Sequence, residues 1–332
     1  METERATLLL KSDQAAWTAV REMALHRLDQ MTGLEAKILR ADKPDALHDF
    51  RVASRRFEQA LDLLSPPEMP PSVRRLRRHL ARGRKSISDV RDYDAFLGRV
   101  EKLLARKSPP RREAWQAVRD YLAKRRARKY AKAAKKLGKL NLSRTCARLR
   151  VLLESRQSSS AKTPHARVKN ACAALGDGRF RQRMGAELRR VWREFEDASR
   201  QAPDFSSASA IHAMRLAVKR LRYLMEIIHQ FETPSSGQAL GLLRGLQQRL
   251  GEWHDTEMDE RLLAKMVGRP EFLRQQLRLA GDVLKLMGQS RRAKARIASR
   301  RPTVLDPAAS AQLMACVLAL LAGTFGKAQP NC

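Results

Sequence analysis

Two stretches of the chain carry a histidine and a series of cations at a spacing that could hold an anion. His48, Arg51 and Arg55 stand at i, i+3 and i+7, with Arg56 beside them. His212, Arg215 and Lys219 repeat the spacing, with Arg220 beside them and Arg222 close behind. On a helix these positions fall in one line over two turns. Basic groups stacked this way repel one another. An anion laid along them relieves the repulsion and accepts several charge-assisted hydrogen bonds. One basic stripe is ordinarily a solvated face, but here a histidine starts the stripe in both copies, and histidine adds little to solubility. The pair therefore reads as a binding face. Arg82 and Lys85, from a basic run covering Arg74, Arg75, Arg77, Arg78 and Arg84 as well, are counted with it. A second basic run, Arg125, Arg126, Arg128, Lys129, Lys132, Lys135 and Lys136, crowds another segment.

Catalysis by the same residues lacks its usual partners. A phosphoanhydride hydrolase needs carboxylates that hold divalent metal, or a glycine-rich phosphate loop. The sequence has no GxxxxGK[ST] segment, and Asp92, Asp94, Glu252, Asp255, Glu257 and Asp259 lie among basic neighbours, as ion-pair partners would. His48 or His212 could serve as a phosphoryl acceptor, yet no base or metal cluster supports either. The chain reads as a non-catalytic protein without metal or cofactor, with a phosphoanhydride-processing enzyme as the weaker alternative. His26, His79, His165 and His229 have no repeated counterpart and read as surface or packing residues, as do Tyr223 and Trp253 beside His254.

The elements that carry the stripes are helical. Ala, Leu, Arg, Lys, Glu and Gln dominate, and no period-two run of Val, Ile and Thr is sustained. In residues 47–64, Leu47, Phe50, Ser54, Phe57, Leu61 and Leu64 gather on one side of a helix; in residues 211–228, Ile211, Met214, Val218, Leu221, Met225 and Ile228 do the same. These are core stripes, and the basic stripes are turned from them by more than a third of a rotation. The two segments align without a gap at an offset of 164, and Ile87–Asp92 parallels Leu250–Asp255 at an offset of 163. Two matches in the same order at nearly one offset indicate a duplication. The polar, serine-rich 156–164 segment reads as a linker between halves at 1–155 and 165–332, each with about five helices.

Lys and Arg number 67 against 35 Asp and Glu, a net charge of +32, and the isoelectric point is near 11.1. With 43% hydrophobic residues in 332, and only 16 Gly and 14 Pro, the chain can bury a core, so the excess charge sits on folded surface. Composition leaves nucleic acid, an anionic membrane and polyphosphate open as partners. Aromatic residues at 5% argue against a base-stacking single-strand binder. Cys146, Cys172, Cys316 and Cys332 are far apart and form no CxxC pair, so neither a zinc site nor a disulfide framework is expected. The N-terminus does not read as a signal peptide. Pro307–Gly326 carries no charge, but its apolar centre, Leu313–Ala322, is shorter than the roughly 20 residues of a membrane span, which predicts a buried helix. A reduced, cytoplasmic protein without membrane attachment is expected.

LHDFRVASRRF (47–57) and IHAMRLAVKRLRYLMEII (211–228), with the Asp-ended elements ISDVRDYDAFL (87–97) and LGEWHDTEMDERLL (250–263), resemble the CHAD domain, the conserved-histidine α-helical domain. The resemblance runs from about Trp17 to the last helices. It implies an all-α fold of two antiparallel helical bundles related by a pseudo-twofold, with a basic cleft or pore between them. It implies binding of inorganic polyphosphate and association with polyphosphate granules, nucleic acid being the competing polyanion. Carried over by position, the anion contacts are His48, Arg51, Arg55, Arg56, His212, Arg215, Lys219, Arg220 and Arg222. Two positions depart between the copies: Glu58 stands where the second copy has Arg222, and Ser88 replaces Gly251 at an expected tight turn. Protonation of His48 and His212, from a reference pKa of about 6.5, is expected to tighten anion binding between about pH 8 and 6.

Overall fold

The computed structural model describes residues 13–40, 45–65, 71–154, 180–231, 233–300 and 303–323. The expected linker at 156–164 lies outside these residues, as do His165, Cys172 and Cys332. Before it come α1 (Asp13–Arg40), α2 (Ala46–Leu64), α3 (Pro71–Ser86), α4 (Ser88–Leu104), α5 (Arg112–Leu140) and α6 (Leu142–Glu154). After it come α7 (Phe180–Gln201), α8 (Ala208–His229), α9 (Pro234–Val267), the short α10 (Pro270–Gln275), α11 (Leu277–Arg300) and α12 (Pro307–Gly323). Among the described residues there are six helices on each side and no strand. The helix-forming composition accounts for this, and local chemistry sets several starts. Ser207, in extended backbone, accepts from the Ala210 N–H at 3.3 Å to cap α8. Pro234 and Pro270 open α9 and α10, where a missing N–H costs nothing.

The core stripes of the duplicated helices are buried as their spacing predicts. Leu47, Phe50, Phe57, Leu61 and Leu64 on α2 are inside, as are Ile211, Met214, Val218, Leu221, Met225 and Ile228 on α8. Both stripes belong to one apolar cluster, which also takes Val20, Leu28 and Met31 from α1 and Met184, Leu188 and Phe195 from α7. A second cluster joins Phe96 and Val100 of α4 and Val118 and Leu122 of α5 to Leu262, Leu263 and Met266 of α9 and Val283 and Leu286 of α11. Each cluster draws on both halves of the duplication, so the repeat in sequence is not a division of the core. One long helix, α9, runs through both, with Leu243, Leu246, Leu250 and Trp253 in the first and its C-terminal turns in the second.

That continuity corrects one expectation. Gly251 forms no turn; it sits inside α9, with open space where a side chain would begin. A glycine costs a helix only about 1 kcal/mol, and Leu250 and Trp253 on either side of it are buried in the first cluster. In the first copy the chain is instead broken at Ile87, between α3 and α4. The apolar C-terminal segment forms α12, which packs on α9 through Leu313, Cys316, Val317 and Leu320, while Met314 and Leu318 face outward. Among the described residues, no helix is long and apolar enough to cross a membrane. Cys146 and Cys316 are free thiols within the core.

The α5–α6 corner fixes α3, and through it part of the site. Asn141 adopts a left-handed φ of 43°, which ends α5, and its Oδ1 accepts from the Arg144 N–H at 3.1 Å at the start of α6. Glu35, only 2% exposed, reaches from α1 to accept from the Leu142 and Ser143 N–H groups at 2.9 and 2.6 Å, and from the Ser143 hydroxyl. A carboxylate is thus buried where the dipole of α6 and its free N–H groups stabilise it. Gly83 on α3 lies so close to this corner that an added Cβ would stand 2.5 Å from Leu142 Cδ1. Glu35→Ala is expected to lower unfolding free energy by about 1–3 kcal/mol, because it strands buried N–H donors. Glu35→Gln, which keeps an acceptor, is expected to lose less. Urea denaturation of the two variants measures the order, and equal losses would refute the capping role.

Candidate anion-binding site

The core decides where the cations go. α2 packs against α8, and with both apolar stripes turned into one cluster, the basic stripes lie beside the crossing. Arg51 and Arg55 of α2 and Arg215 and Lys219 of α8 are each half-buried there. Arg84 joins them from α3, held one residue beyond the close approach at Gly83, and its charge acts on both Arg51 and Arg55. Asp92 of α4 and Asp255 of α9, counterparts at the 163-residue offset, flank the group and act on Arg215.

The two halves hold their cations differently. Arg51 donates to Ser88 Oγ, which itself donates to the Arg84 carbonyl at 3.0 Å. Arg84 pairs with Glu58 at 2.6 Å. In the second half Gly251 stands where Ser88 does and offers no hydroxyl, and Arg215 Nε is buried without a hydrogen-bond partner. Arg222 occupies the position of Glu58, so a cation replaces the carboxylate; it pairs with Glu226 at 2.5 Å, lies 4.7 Å from the centre of the Tyr223 ring, and still acts on Lys219. Asp255, for its part, is engaged by Arg99 at 3.0 Å. The second half thus presents the less neutralised cations.

Electrostatics register the crowding. Burial, reinforced by Arg215, Arg55, Arg51 and Arg222, pushes the Lys219 ammonium down to about 7. Burial and the neighbouring Arg55 bring Arg51 down to about 10. The ring of His254, 6.2 Å from that of His212, is forced down to about 3 by burial and then by Arg215, His212, Lys219 and Arg261. These shifts mark one place where positive charge is concentrated and partly withdrawn from solvent.

Not every residue expected from the sequence comes to this place. His212 is exposed beside the cluster, whereas His48 lines a different depression with Arg27, Asp29, Lys37, Asp49 and Arg56. Arg56 turns away to pair with Glu226 at 2.9 Å, and Arg220 is 59% exposed and paired with Glu194 at 2.7 Å. Arg82 and Lys85 are exposed; on α3 it is Arg84 that faces the site, and helical geometry turns its neighbours elsewhere. The histidine pH response also needs correction. Burial, aided by Arg91 at His48 and by Arg215 at His212, lowers both rings below their ordinary value. Both are therefore mostly neutral near pH 7, and Lys219 is the group that titrates there. His254 was not singled out from the sequence. Its only signal was the 163-residue offset, which pairs it with Arg91 in the other copy.

The sign of the Lys219 shift sets a test. Its folded pKa lies below the ordinary value of 10.5, so folding opposes the ammonium: the penalty is full below about pH 7 and fades as pH rises toward the unfolded value. Lys219→Met is expected to raise the thermal midpoint at pH 6 and to lose that advantage by about pH 10. A bound polyanion has the opposite preference and favours the ammonium. Affinity for a polyanion is expected to rise as pH falls from about 8.5 to 6, and Lys219→Arg, with its permanent charge, to flatten the profile. An unchanged profile in that variant would remove Lys219 as the titrating group.

The family model described as CHAD domain matches residues 22–264. No curated protein matches the chain. Among solved structures, the crystal structure of the CHAD domain from the plant Ricinus communis is similar, with a TM-score of 0.58 at 21% identity over 92% of each chain. That likeness is one of fold, and it agrees with the all-helical architecture. The family model spans most of the chain, including both duplicated helices and both Asp-ended elements: the protein belongs to the CHAD domain family.

Proposed function

We propose that the protein binds inorganic polyphosphate, without turning it over, along the cations of α2, α3 and α8. The observation that carries this reading is the gathering of Arg51, Arg55, Arg84, Arg215 and Lys219, where neighbouring cations add to burial in lowering Arg51, Arg55 and Lys219 and where Arg215 Nε is buried without a hydrogen-bond partner. A flexible chain with about one negative charge per phosphate supplies acceptors to such a lining and releases counterions in doing so. Membership of a family associated with polyphosphate binding supports the choice of ligand. Nucleic acid is the weaker candidate, because the aromatic residues nearest the cluster offer no stacking surface. Trp253 is buried, and Tyr223 is buried with Arg222 over its ring. Association with polyphosphate granules belongs to the same proposal.

Competition tests the ligand. Labelled long-chain polyphosphate, challenged with RNA, DNA and heparin at equal charge concentration, is expected to resist all three. Equal displacement by each would reduce the protein to a general polyanion binder. Arg215→Ala and Lys219→Ala are each expected to weaken binding and to lower the slope of log K against log salt by about 0.7; wild-type slopes in both would mean that the cluster does not touch the chain. Incubation with polyphosphate and divalent metal is expected to release no orthophosphate. A tagged copy in polyphosphate-accumulating cells is expected on the granules, and to disperse when polyphosphate synthesis is blocked.

A further inference from the structure

The second basic run of the sequence has a structural setting of its own. Helix α4 separates it from the central cluster. Ser88 and Asp92, one turn apart, face Arg51, whereas the next residues around the helix, Asp89 and Tyr93, face α5. On that side, where α4 and α5 of the first half meet the end of α9, lies an open depression of about 820 Å³. Its walls carry Arg125, Arg128, Lys129, Lys132, Lys265 and Arg269, together with Tyr93 and Tyr121, and among the described residues no carboxylate lines it. The depression beside His48 contains Asp29 and Asp49, and the one beside Arg56 contains Glu226. Of the cations here, Lys129 is paired with Asp89 at 2.6 Å.

The two arginines at its centre are held by a ring rather than by an acid. Arg125 and Arg269 place their guanidinium carbons 5.8 and 5.9 Å from the centre of the Tyr121 ring. Tyr121 itself donates to the Lys265 carbonyl at 3.4 Å, which ties α5 to α9. A cation over a ring gains electrostatic energy but satisfies no N–H. Arg125 Nη2 and Arg269 Nε are accordingly buried with no hydrogen-bond partner. Two guanidinium groups held by a ring and not neutralised by an acid, four further cations and, among the described residues, no carboxylate make a lining suited to several linked phosphates, not to a single carboxylate.

We propose that this depression is a second phosphate site, separate from the central cluster, for a run of condensed phosphates. The run is either a free oligophosphate, such as tripolyphosphate or the tail of a nucleoside triphosphate, or a segment of a longer chain that also occupies the central cluster. The second source rests on the function proposed above; the first does not.

Calorimetric titration with tripolyphosphate, at constant salt, counts the sites. The wild-type chain is expected to bind two equivalents, Arg125→Gln/Arg269→Gln one, and Arg215→Ala/Lys219→Ala one. Two equivalents in the Arg125/Arg269 variant would overturn the proposal. Two in the Arg215/Lys219 variant would count against the central site alone and leave this one standing. Because Arg125 and Arg269 also pack on Tyr121, lysine acylation of the unmodified protein gives an independent measure. Tripolyphosphate is expected to slow acylation at Lys132 and Lys265 at least fivefold, with Lys285 as the exposed control; protection at Lys219 without any at Lys132 and Lys265 would overturn the proposal. Long-chain polyphosphate separates the sources. At least a tenfold loss of its affinity in the Arg125/Arg269 variant identifies a continuous chain. Wild-type affinity, with equal protection by tripolyphosphate and a nucleoside triphosphate, identifies a free oligophosphate.

Discussion

Apolar packing between the duplicated helices is the constraint on which the remaining structure depends. α2 and α8 each bury a full stripe, and each large side chain so buried contributes about 1.5–3 kcal/mol. Like charges a turn apart on a helix oppose folding by only a few tenths of a kcal/mol per pair. The core therefore fixes the orientation of both helices, and the cations have to accept the neighbours they are given. Crowding of Arg51, Arg55, Arg215 and Lys219 follows from the position of the hydrophobic residues, not from any attraction between the halves. The depressed Lys219 ammonium is the visible result, and a polyanion is the simplest species able to relieve it.

The fold was legible because its signals repeat. Helical composition and two apolar stripes at three-four spacing suffice to identify an all-α chain, and those stripes are the buried ones. The site was legible only in part. Arg51, Arg55, Arg215 and Lys219 lie in line on their own helices, so helical geometry finds them. Arg84 could not be told from Arg82 and Lys85, since the choice depends on the rotation of α3, and that is set by Gly83 against Leu142. Arg56 and Arg220 sit one residue off the stripe, which is enough to turn them toward Glu226 and Glu194. His48 and His212 look equivalent in sequence. The partners that decide their surroundings come from elements far along the chain, and only His212 stands near a second histidine.

The repeated halves have also diverged in how they stabilise charge. Ser88 and Glu58 tether the first half's arginines by hydrogen bond and ion pair, whereas Gly251 and Arg222 supply no such tether: Arg215 Nε has no hydrogen-bond partner, and Lys219 stands among cations. A linear chain of identical phosphates has no direction to be read, so this asymmetry cannot orient such a ligand. On the proposed function its effect would be on order: the side with the less satisfied cations would gain most from the first phosphates bound.

The shared core has a consequence for the way the molecule is made. Phe50 and Phe57 of α2 enter a cluster that is completed by Leu188 and Phe195 of α7 and by the apolar face of α8. At a synthesis rate of about 5–20 residues per second, the interval between α2 and α8 leaving the ribosome is on the order of ten seconds or more. Throughout it a nascent chain rich in arginine holds part of its apolar surface uncovered beside ribosomal RNA. Until α7 and α8 emerge, the apolar face of α2 has only its neighbours in the first half to cover it, α1 foremost, so completion of the core waits on the second half of the chain.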